Sequence, residues 1–438
     1  MSPKKTATKS KKKSSKPEKT EEIKQKKLNE YTEKKAKPEK NSKPTSSKRR
    51  SHKRVLSEVR KLKKELRSKK EKPFKKKEGT LLVTEYSPEE AHKHIHEWVK
   101  ELWHQIEESG RPVLEIPART SDNIIFDEEA NLLLLGEKIL KRSFHTLTSV
   151  ADATRTMKVL KIIHDLLEQK THTTKRGVYY QDPKLFNFDQ KYSDKLIEDI
   201  AAALRTTRNS TNVIAAAAGA CIGRLVIKDS GDKIDLTKLG KGGWAISPLL
   251  DEVEIVESDA ELIFVVEKDA ARLRLAEAKY WNQVPCIIIS GRGAPSIANR
   301  AFLRRLVKEL KIPAFALVDS DPYGHYIFSV YLRGSKRLSY ESPFLATPAL
   351  KLLGVLNRDL DYYEIPEEAR IPMSKQDTER TKQLLEEDFV KKNTAWVEDL
   401  EGMLKSGHKA EIQAFEGFGF DYLTSTYLPQ KLETGDWI

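Results

Sequence analysis

Leu262-Ile-Phe-Val-Val-Glu267 and Phe315-Ala-Leu-Val-Asp-Ser-Asp-Pro-Tyr-Gly324 decide how this chain is read. Each is a short apolar run that ends on carboxylates. Uninterrupted apolar runs of this length suit strands buried on both faces, as in a parallel sheet, and ligands gather at the carboxyl ends of such strands. In an extended segment Asp319 and Asp321 point to the same face, because side chains alternate with a period of two. Three acids (Glu267, Asp319 and Asp321) converging on one sheet edge repel each other unless a hard cation lies among them, and Mg2+ prefers oxygen ligands of this kind. The expectation is a magnesium site for phosphate chemistry.

Around these runs the pattern alternates. A strand at 262–266 is followed by a helix from Ala270 to Tyr280, a strand from Cys286 to Ile289, a helix from Ile297 to Leu310 and a strand from Ala314 to Val318. That is an α/β doubly wound unit with a mainly parallel sheet. An acid after one strand and an Asp-x-Asp after a later one, with Ile289-Ser-Gly-Arg-Gly between them, is the pattern of a Toprim domain. It is placed at residues 248–438, with a mostly helical C-terminal extension.

Residues 140–247 read as helices followed by a hairpin. Met157 to Gln169 is amphipathic, Ser193 caps a helix running to Thr206, and the alanine-rich Val213 to Ala220 follows. Gly223 to Leu236 then alternates on both sides of an Asp-Ser-Gly-Asp turn, the mark of a β-hairpin. Helices followed by a two-stranded wing are the order of a winged-helix DNA-binding unit. Ahead of it, residues 79–139 open with the capping box Ser87-Pro-Glu-Glu90. The helix that follows carries Ile95, Trp98, Val99, Leu102 and Ile106 on one stripe. Its tryptophans, Trp98 and Trp103, either dock a partner subunit or pack on the body. His92, His94, His96 and His104 decorate the same helix. Because i,i+2 spacing spreads residues over different faces, an ordinary surface cluster is favoured over a metal site.

Charge is divided sharply along the chain. The net charge is +14, yet residues 1–78 hold 32 Lys/Arg against 10 Glu, so everything after them is net negative. The segment 1–78, rich in Lys, Ser and Pro, is too polar to order itself by burial and is expected to be a disordered basic tail, of which Val55 to Lys70 could become helical on a partner. Its Lys48-Arg-Arg-Ser-His-Lys-Arg54 is a nuclear address, a phosphate-binding arm or simply solvated chain. The only cysteines, Cys221 and Cys286, lie in apolar contexts without zinc-ligand spacing and read as reduced core thiols. No 18-residue apolar stretch or signal-peptide core occurs, so an intracellular soluble protein with no membrane contact is expected.

Tyr180 adds the second half of the chemistry. A phenol, with a pKa of about 10, is a poor nucleophile until its anion is stabilised. Arg176, four residues earlier, would share its helical face and hold the phosphate under attack. Arg176-Gly-Val-Tyr-Tyr-Gln-Asp-Pro-Lys-Leu-Phe186 resembles the nucleophile motif in the A subunit of topoisomerase VI and in its relatives, the transesterases that initiate meiotic recombination. In order along the chain, Thr237-Lys-Leu-Gly-Lys-Gly-Gly243, Glu267-Lys-Asp-Ala270, Asn299-Arg-Ala-Phe-Leu303, Asp319-Ser-Asp-Pro-Tyr-Gly324, Leu353-Gly-Val355, Lys409-Ala-Glu-Ile-Gln-Ala-Phe415 and Tyr427-Leu-Pro-Gln-Lys-Leu432 are similar to further blocks of that family. The resemblance spans roughly residues 90–438, and the C-terminal blocks look closer to the topoisomerase branch.

The resemblance implies that Tyr180, and not Tyr179, is the nucleophile. It makes Arg176 the essential basic neighbour and Glu267, Asp319 and Asp321 the Mg2+ ligands. Arg300 falls on a DNA-binding position, although Asn299 replaces the family's Thr before it, and Gly177 replaces an Asp common among relatives. It further implies a homodimer on double-stranded DNA, a 5′-phosphotyrosyl intermediate, and a tyrosine of one protomer working with the metal site of the other. The chain has no Gly-x4-Gly-Lys-Ser/Thr phosphate loop, so ATP would be bound by a separate B subunit in an A2B2 heterotetramer. Two other readings stay open: a meiotic-type break-maker that does not relax DNA, and a non-catalytic DNA-binding scaffold. The compartment would be the nucleoid or cytoplasm of an archaeon, or the nucleus of a eukaryote.

Overall fold

A run of five apolar residues, Leu262–Val266, forms the inner strand of the largest sheet, with every side chain buried. The computed structural model describes residues 52–69, 77–215 and 217–438. In chain order it begins with a short turn of helix at His52–Val55 and helix α1 (Ser57–Ser68). These correct the expectation of a disordered tail through residue 78. Val55, Leu56 and Val59 are buried in one apolar cluster with Leu428 and Leu432, while Lys63 and Arg60 reach Glu261 at 2.9 and 3.3 Å. Valine and leucine at helical spacing give this lysine-rich segment one apolar stripe, which average composition conceals. Apart from its last residues, the basic stretch 48–54 lies outside the described residues.

Helix α2 (Pro88–Ser109) starts at the expected capping box, with Ser87 Oγ accepting from Glu90 N–H and Glu90 accepting from Ser87 N–H. Its apolar stripe divides: Ala91, Ile95 and Leu102 are buried, whereas Val99, Trp103 and Ile106 are exposed. Four strands follow as two antiparallel pairs, β1 (Val113–Pro117) with β4 (Ile139–Ser143) and β2 (Ile124–Asp127) with β3 (Leu132–Leu135). Helices α3 (Val150–Glu168), α4 (Lys175–Tyr180) and α5 (Gln190–Ala203) then share a core built on Val159, Ile163, Val178, Phe186, Ile197 and Ile200. Asp189, not Ser193, caps α5: its carboxylate accepts from Lys191 N–H at 2.9 Å, and Ser193 is buried one turn inside. The alanine-rich stretch does not extend the helices. Val213–Ile214 pairs in parallel with Thr173–Thr174.

The strands that follow, as far as Gly354, are β5 (Ala220–Gly223), β6 (Val226–Asp229), β7 (Asp232–Asp235), β8 (Trp244–Ala245), β9 (Val253–Glu257), β10 (Leu262–Val266), β11 (Cys286–Ser290), β12 (Ala314–Leu317) and β13 (Lys351–Gly354). The hairpin β6–β7 turns through Ser230 and Gly231, both at positive φ, as a two-residue turn between twisted strands requires. It does not serve as a wing on the helical core. With β9 it forms a three-stranded sheet, and Leu225, Ile227 and Leu236 bury into the same cluster as Ile263, Ile287 and Phe302. The boundary expected at 247/248 therefore cuts through a shared core.

The six-stranded sheet runs β8-β5-β11-β10-β12-β13. Its last four strands are parallel, with β5 antiparallel to β11 and β8 antiparallel to β5. Helices α6 (Asp269–Glu277), α7 (Ile297–Leu310) and α8 (Pro322–Arg333) complete the alternating unit. The mainly parallel α/β reading holds; β13 and the antiparallel edge are additions to it. Cys221 and Cys286 are free and buried in neighbouring strands, where burial pushes both thiols up.

Near the C-terminus, Asp359 is buried and accepts from Tyr427 Oη at 2.6 Å and Lys431 Nζ at 3.0 Å. A Cβ on Gly354 would lie 1.9 Å from that tyrosine oxygen, so only glycine fits beneath it. This gives the Leu353-Gly-Val355 and Tyr427–Leu432 blocks a packing role. Lys431→Met leaves a buried carboxylate without its cation, and urea unfolding should show a loss of about 3–5 kcal/mol. A loss under about 1 kcal/mol, the size of an exposed pair, would disprove that role.

Candidate functional site

The parallel register sets the acids. Val266 lies opposite Leu317, so the residues that leave β10 and β12 emerge side by side. Glu267 N–H donates to Leu317 O at 3.0 Å, and Asp319 N–H donates to Glu267 Oε2 at 3.0 Å. Asp319 Oδ1 accepts from Ile412 N–H at 2.9 Å, and its other oxygen meets Lys268 Nζ at 2.8 Å. Lys268 also reaches Glu411 at 2.9 Å. Asp321 caps α8, accepting from Gly324 N–H at 2.6 Å. A Cβ on Gly324 would meet the Asp319 carbonyl at 2.4 Å, so this glycine lets the helix begin directly on the acidic turn.

Burial, then the charges of Asp319 and Asp321, push the Glu267 carboxyl up to about 7. Asp319 is also raised, by burial first and by Asp321, against the opposing pull of Lys268 and the Ile412 N–H. These are carboxylates short of positive charge. Among the described residues they do not bring one oxygen each within 4.8 Å of the others. A bare ion bound by all three would need them closer, but Mg2+ keeps several waters and is held through one or two carboxylates. The all-oxygen donor set and its unbalanced charge fit Mg2+. Lys268 and Glu411 complete the surroundings, and reading the sequence alone misses them. Their position beside Glu267 and inside Lys409–Phe415 is the available clue.

Tyr180 ends α4, a helix of six residues. Thr174 caps it, accepting from Gly177 N–H at 3.2 Å. A Cβ at Gly177 would lie 2.1 Å from Thr173 Oγ1, so a larger residue needs that side chain to swing away. Val178 is fully buried, and Tyr179 packs inward, its ring centroid 6.4 Å from that of Phe186. Tyr180 faces out at 61% exposure, and the Arg176 guanidinium lies 5.8 Å from its ring centroid. Tyr179 is thus packed and Tyr180 exposed, with Arg176, four residues earlier, beside the Tyr180 ring. Tyr180 is carried by α4 of the helical unit and makes no described hydrogen bond or ion pair with the acids, which sit on the six-stranded sheet.

Arg300 is a correction. It lies on the inner face of α7 at 2% exposure, and burial lowers its pKa to about 10. Its Nε and Nη2 have no hydrogen-bond partner, and the opposing charge that acts on it most is Glu341. An enclosed guanidinium does not reach a duplex backbone. The apolar face of α7 (Ile297, Phe302, Leu303, Leu306) carries it inward.

Three family models match successive segments. "Type IIB DNA topoisomerase" covers residues 151–213, and "All-beta domain in DNA topoisomerase VI alpha subunit" covers 218–259. The Toprim domain common to Spo11 and the topoisomerase 6 A subunit covers 262–432. The second takes in the hairpin β6–β7, in keeping with its separation from the helical core. The A subunit of DNA topoisomerase 6 from Arabidopsis thaliana is 49% identical over 323 residues, 74% of this chain and 75% of that protein. The A subunit of type 2 DNA topoisomerase 6 from Aeropyrum pernix is 38% identical, covering 75% of this chain and 91% of its own. Meiotic recombination protein SPO11 of Homo sapiens is 33% identical over 75% of this chain and 83% of that one. With its Toprim sheet, its acids at the strand ends and its outward tyrosine, the chain belongs to the type IIB DNA topoisomerase A-subunit family, which includes the Spo11 proteins.

Proposed function

We propose that this chain is the DNA-cleaving and rejoining A subunit of a type IIB topoisomerase. The observation that carries the reading is the isolation of Tyr180: its neighbours Val178 and Tyr179 pack inward, while its own ring stands in solvent beside Arg176. The greater identity to topoisomerase A subunits than to SPO11 favours strand passage over break formation alone.

In this reading two copies clasp one duplex as a symmetric dimer. The α3–α5 unit acts as the platform that presents Tyr180. The phenolic oxygen attacks a backbone phosphorus in line; a phosphorus–oxygen bond to tyrosine forms as the bond to the 3′ oxygen breaks. The phenol loses its proton and the departing 3′ oxygen gains one, leaving a 5′-phosphotyrosyl link and a 3′-hydroxyl. Arg176 holds the phosphate and offsets its developing charge. Glu267, Asp319 and Asp321 would hold Mg2+, which when bound supplies positive charge at the phosphate. The acids of one protomer serve the tyrosine of the other. Reversal restores the backbone without an external energy source for the bond. A separate B subunit binds ATP, giving an A2B2 assembly. Among the described residues no helix is long and apolar enough to cross a membrane.

Tyr180→Phe should abolish the covalent protein–DNA adduct trapped by denaturant, and with it relaxation and decatenation in the presence of B subunit, ATP and Mg2+. Its DNA binding in gel shift should be unchanged. Adduct formation by the variant would remove Tyr180 as nucleophile. Adducts from the wild-type chain without relaxation would favour the break-making reading.

The acids add a pH signature. Because the folded-state pKa of Glu267 is raised from 4.5 to about 7, the metal-free folded state binds more protons than the unfolded chain across that interval. Stability therefore falls as pH rises through it. The thermal midpoint of wild-type protein, relative to Glu267→Gln, should decline from about pH 4.5 to about pH 7 in chelator, and added Mg2+ should recover it in wild type alone. A parallel pair of curves would show that Glu267 is not held in this state.

A further inference from the structure

The histidines of α2 do not all lie on the surface independently. His94 stacks on Tyr86 and meets Glu97 at 3.0 Å, and His104 faces Glu107 at 3.6 Å. His92 and His96, four residues apart and so on one helical face, turn instead towards His164 on α3. The ring centroids are 4.6 Å apart for His92–His96, 4.6 Å for His92–His164 and 5.3 Å for His96–His164. One ring nitrogen from each lies within 4.8 Å of the other two. His164 is also within that distance of carboxylate oxygens of Asp165 and Glu168. Asp165 is already engaged by Lys161 at 2.6 Å.

Two observations set this trio apart from a chance surface group. It joins two helices that pack on each other, with Ala91 and Ile95 of α2 sharing a core with Val159, Leu160 and Ile163 of α3. In addition, His92 Nε2 is buried without a hydrogen-bond partner, an arrangement that costs free energy unless something binds the atom. A ring nitrogen with a free lone pair, facing two more imidazoles, is a borderline-soft donor set. Such sets select Zn2+ and its neighbours among the transition metals and leave Mg2+ unbound.

We propose that His92, His96 and His164 bind one Zn2+, with Glu168 or a water completing a tetrahedron. In such a site the nitrogens stand about 3.3 Å apart, from bonds of about 2.0–2.1 Å, so modest side-chain rotation closes the present spacing. The ion ties α2 to the helical unit that carries Tyr180. It is a structural staple at a distance from the acids, and it fixes the exposed Val99/Trp103/Ile106 edge of α2 relative to that unit. The proposal does not depend on the cleavage reaction.

The test uses untagged full-length chain, stripped of metal and kept in excess Mg2+ so that the carboxylate site is not read. Zn2+ is titrated against a competing chromogenic chelator. Wild type should take up a single equivalent, and His164→Ala and His96→Gln should each weaken binding by more than about tenfold. His104→Ala should bind as wild type does. Co2+ in place of Zn2+ should give the visible band of a tetrahedral ion, lost in both ligand variants. His96 is exposed, so His96→Gln keeps the test valid if His164→Ala does not fold, with far-UV circular dichroism as the check. No saturable uptake by wild type, or equal uptake by folded His96→Gln, overturns the proposal.

Discussion

Neighbouring parallel strands that end on acids impose the constraint on which the rest depends. With Val266 opposite Leu317, Glu267 and Asp319 have to emerge together, and Asp319 lends its own N–H to the Glu267 carboxylate. Partial burial weakens hydration of both charges, and among the described residues Lys268 and backbone N–H groups answer them. The cost is carried by the apolar layers on the two faces of the sheet, whose side chains are almost wholly enclosed. A rigid sheet can hold like charges near each other where a loop would let them separate. That repulsion is what makes the edge receptive to a hard cation and, beyond it, to a phosphate.

The tyrosine is placed by a different device. A helix of six residues has no stability of its own, and α4 is anchored by the first residue after its cap. Lys175 pairs with Glu198 of α5, which also accepts from Arg119 and from Arg337, each at 2.8 Å. Burial would raise the Glu198 pKa, but the Arg337 hydrogen bond and the charges of Lys175 and Arg119 outweigh it and hold it low. Asp199, next in sequence, takes Arg119 at 2.8 Å and pairs with Arg142 from β4. Arg337 follows α8, so one buried carboxylate joins the tyrosine's helix to the segment that follows the acidic turn. A presented nucleophile needs such anchoring, because an exposed ring has little packing of its own to fix it.

Much of the site is legible in the sequence because its chemistry is local along the chain. Apolar runs ending on Glu267 and Asp319 announce strands, and the Asp-x-Asp spacing announces a shared face. The choice of Tyr180 over Tyr179 comes from the resemblance of the motif, and the exposure of one ring and packing of the other appear only in the fold. Errors arise where a local pattern has more than one tertiary use. The 226–235 hairpin looks the same whether it is a wing on helices or part of a separate sheet, and only Ile227 and Leu236 meeting Ile263 and Phe302 decides it. Arg300 resembles a DNA contact because a motif position does not reveal which way α7 is turned. That His92 and His96 lie beside His164 is not readable from α2 alone, because His164 is on another helix.

Periodicity and side chains close along the chain suffice for the strand–acid pattern and the helix cap at Ser87, and resemblance of ordered motifs points to the family. Other features appear only once the chain is folded: which elements share a core, and that residues 52–69 leave the basic tail to pack on the C-terminal helix. The same holds for Ile412 N–H and Glu411, which come to the acids from some 90 residues away. Long-range contacts of that kind are settled by which apolar faces find each other, and nothing in a local pattern encodes the partner.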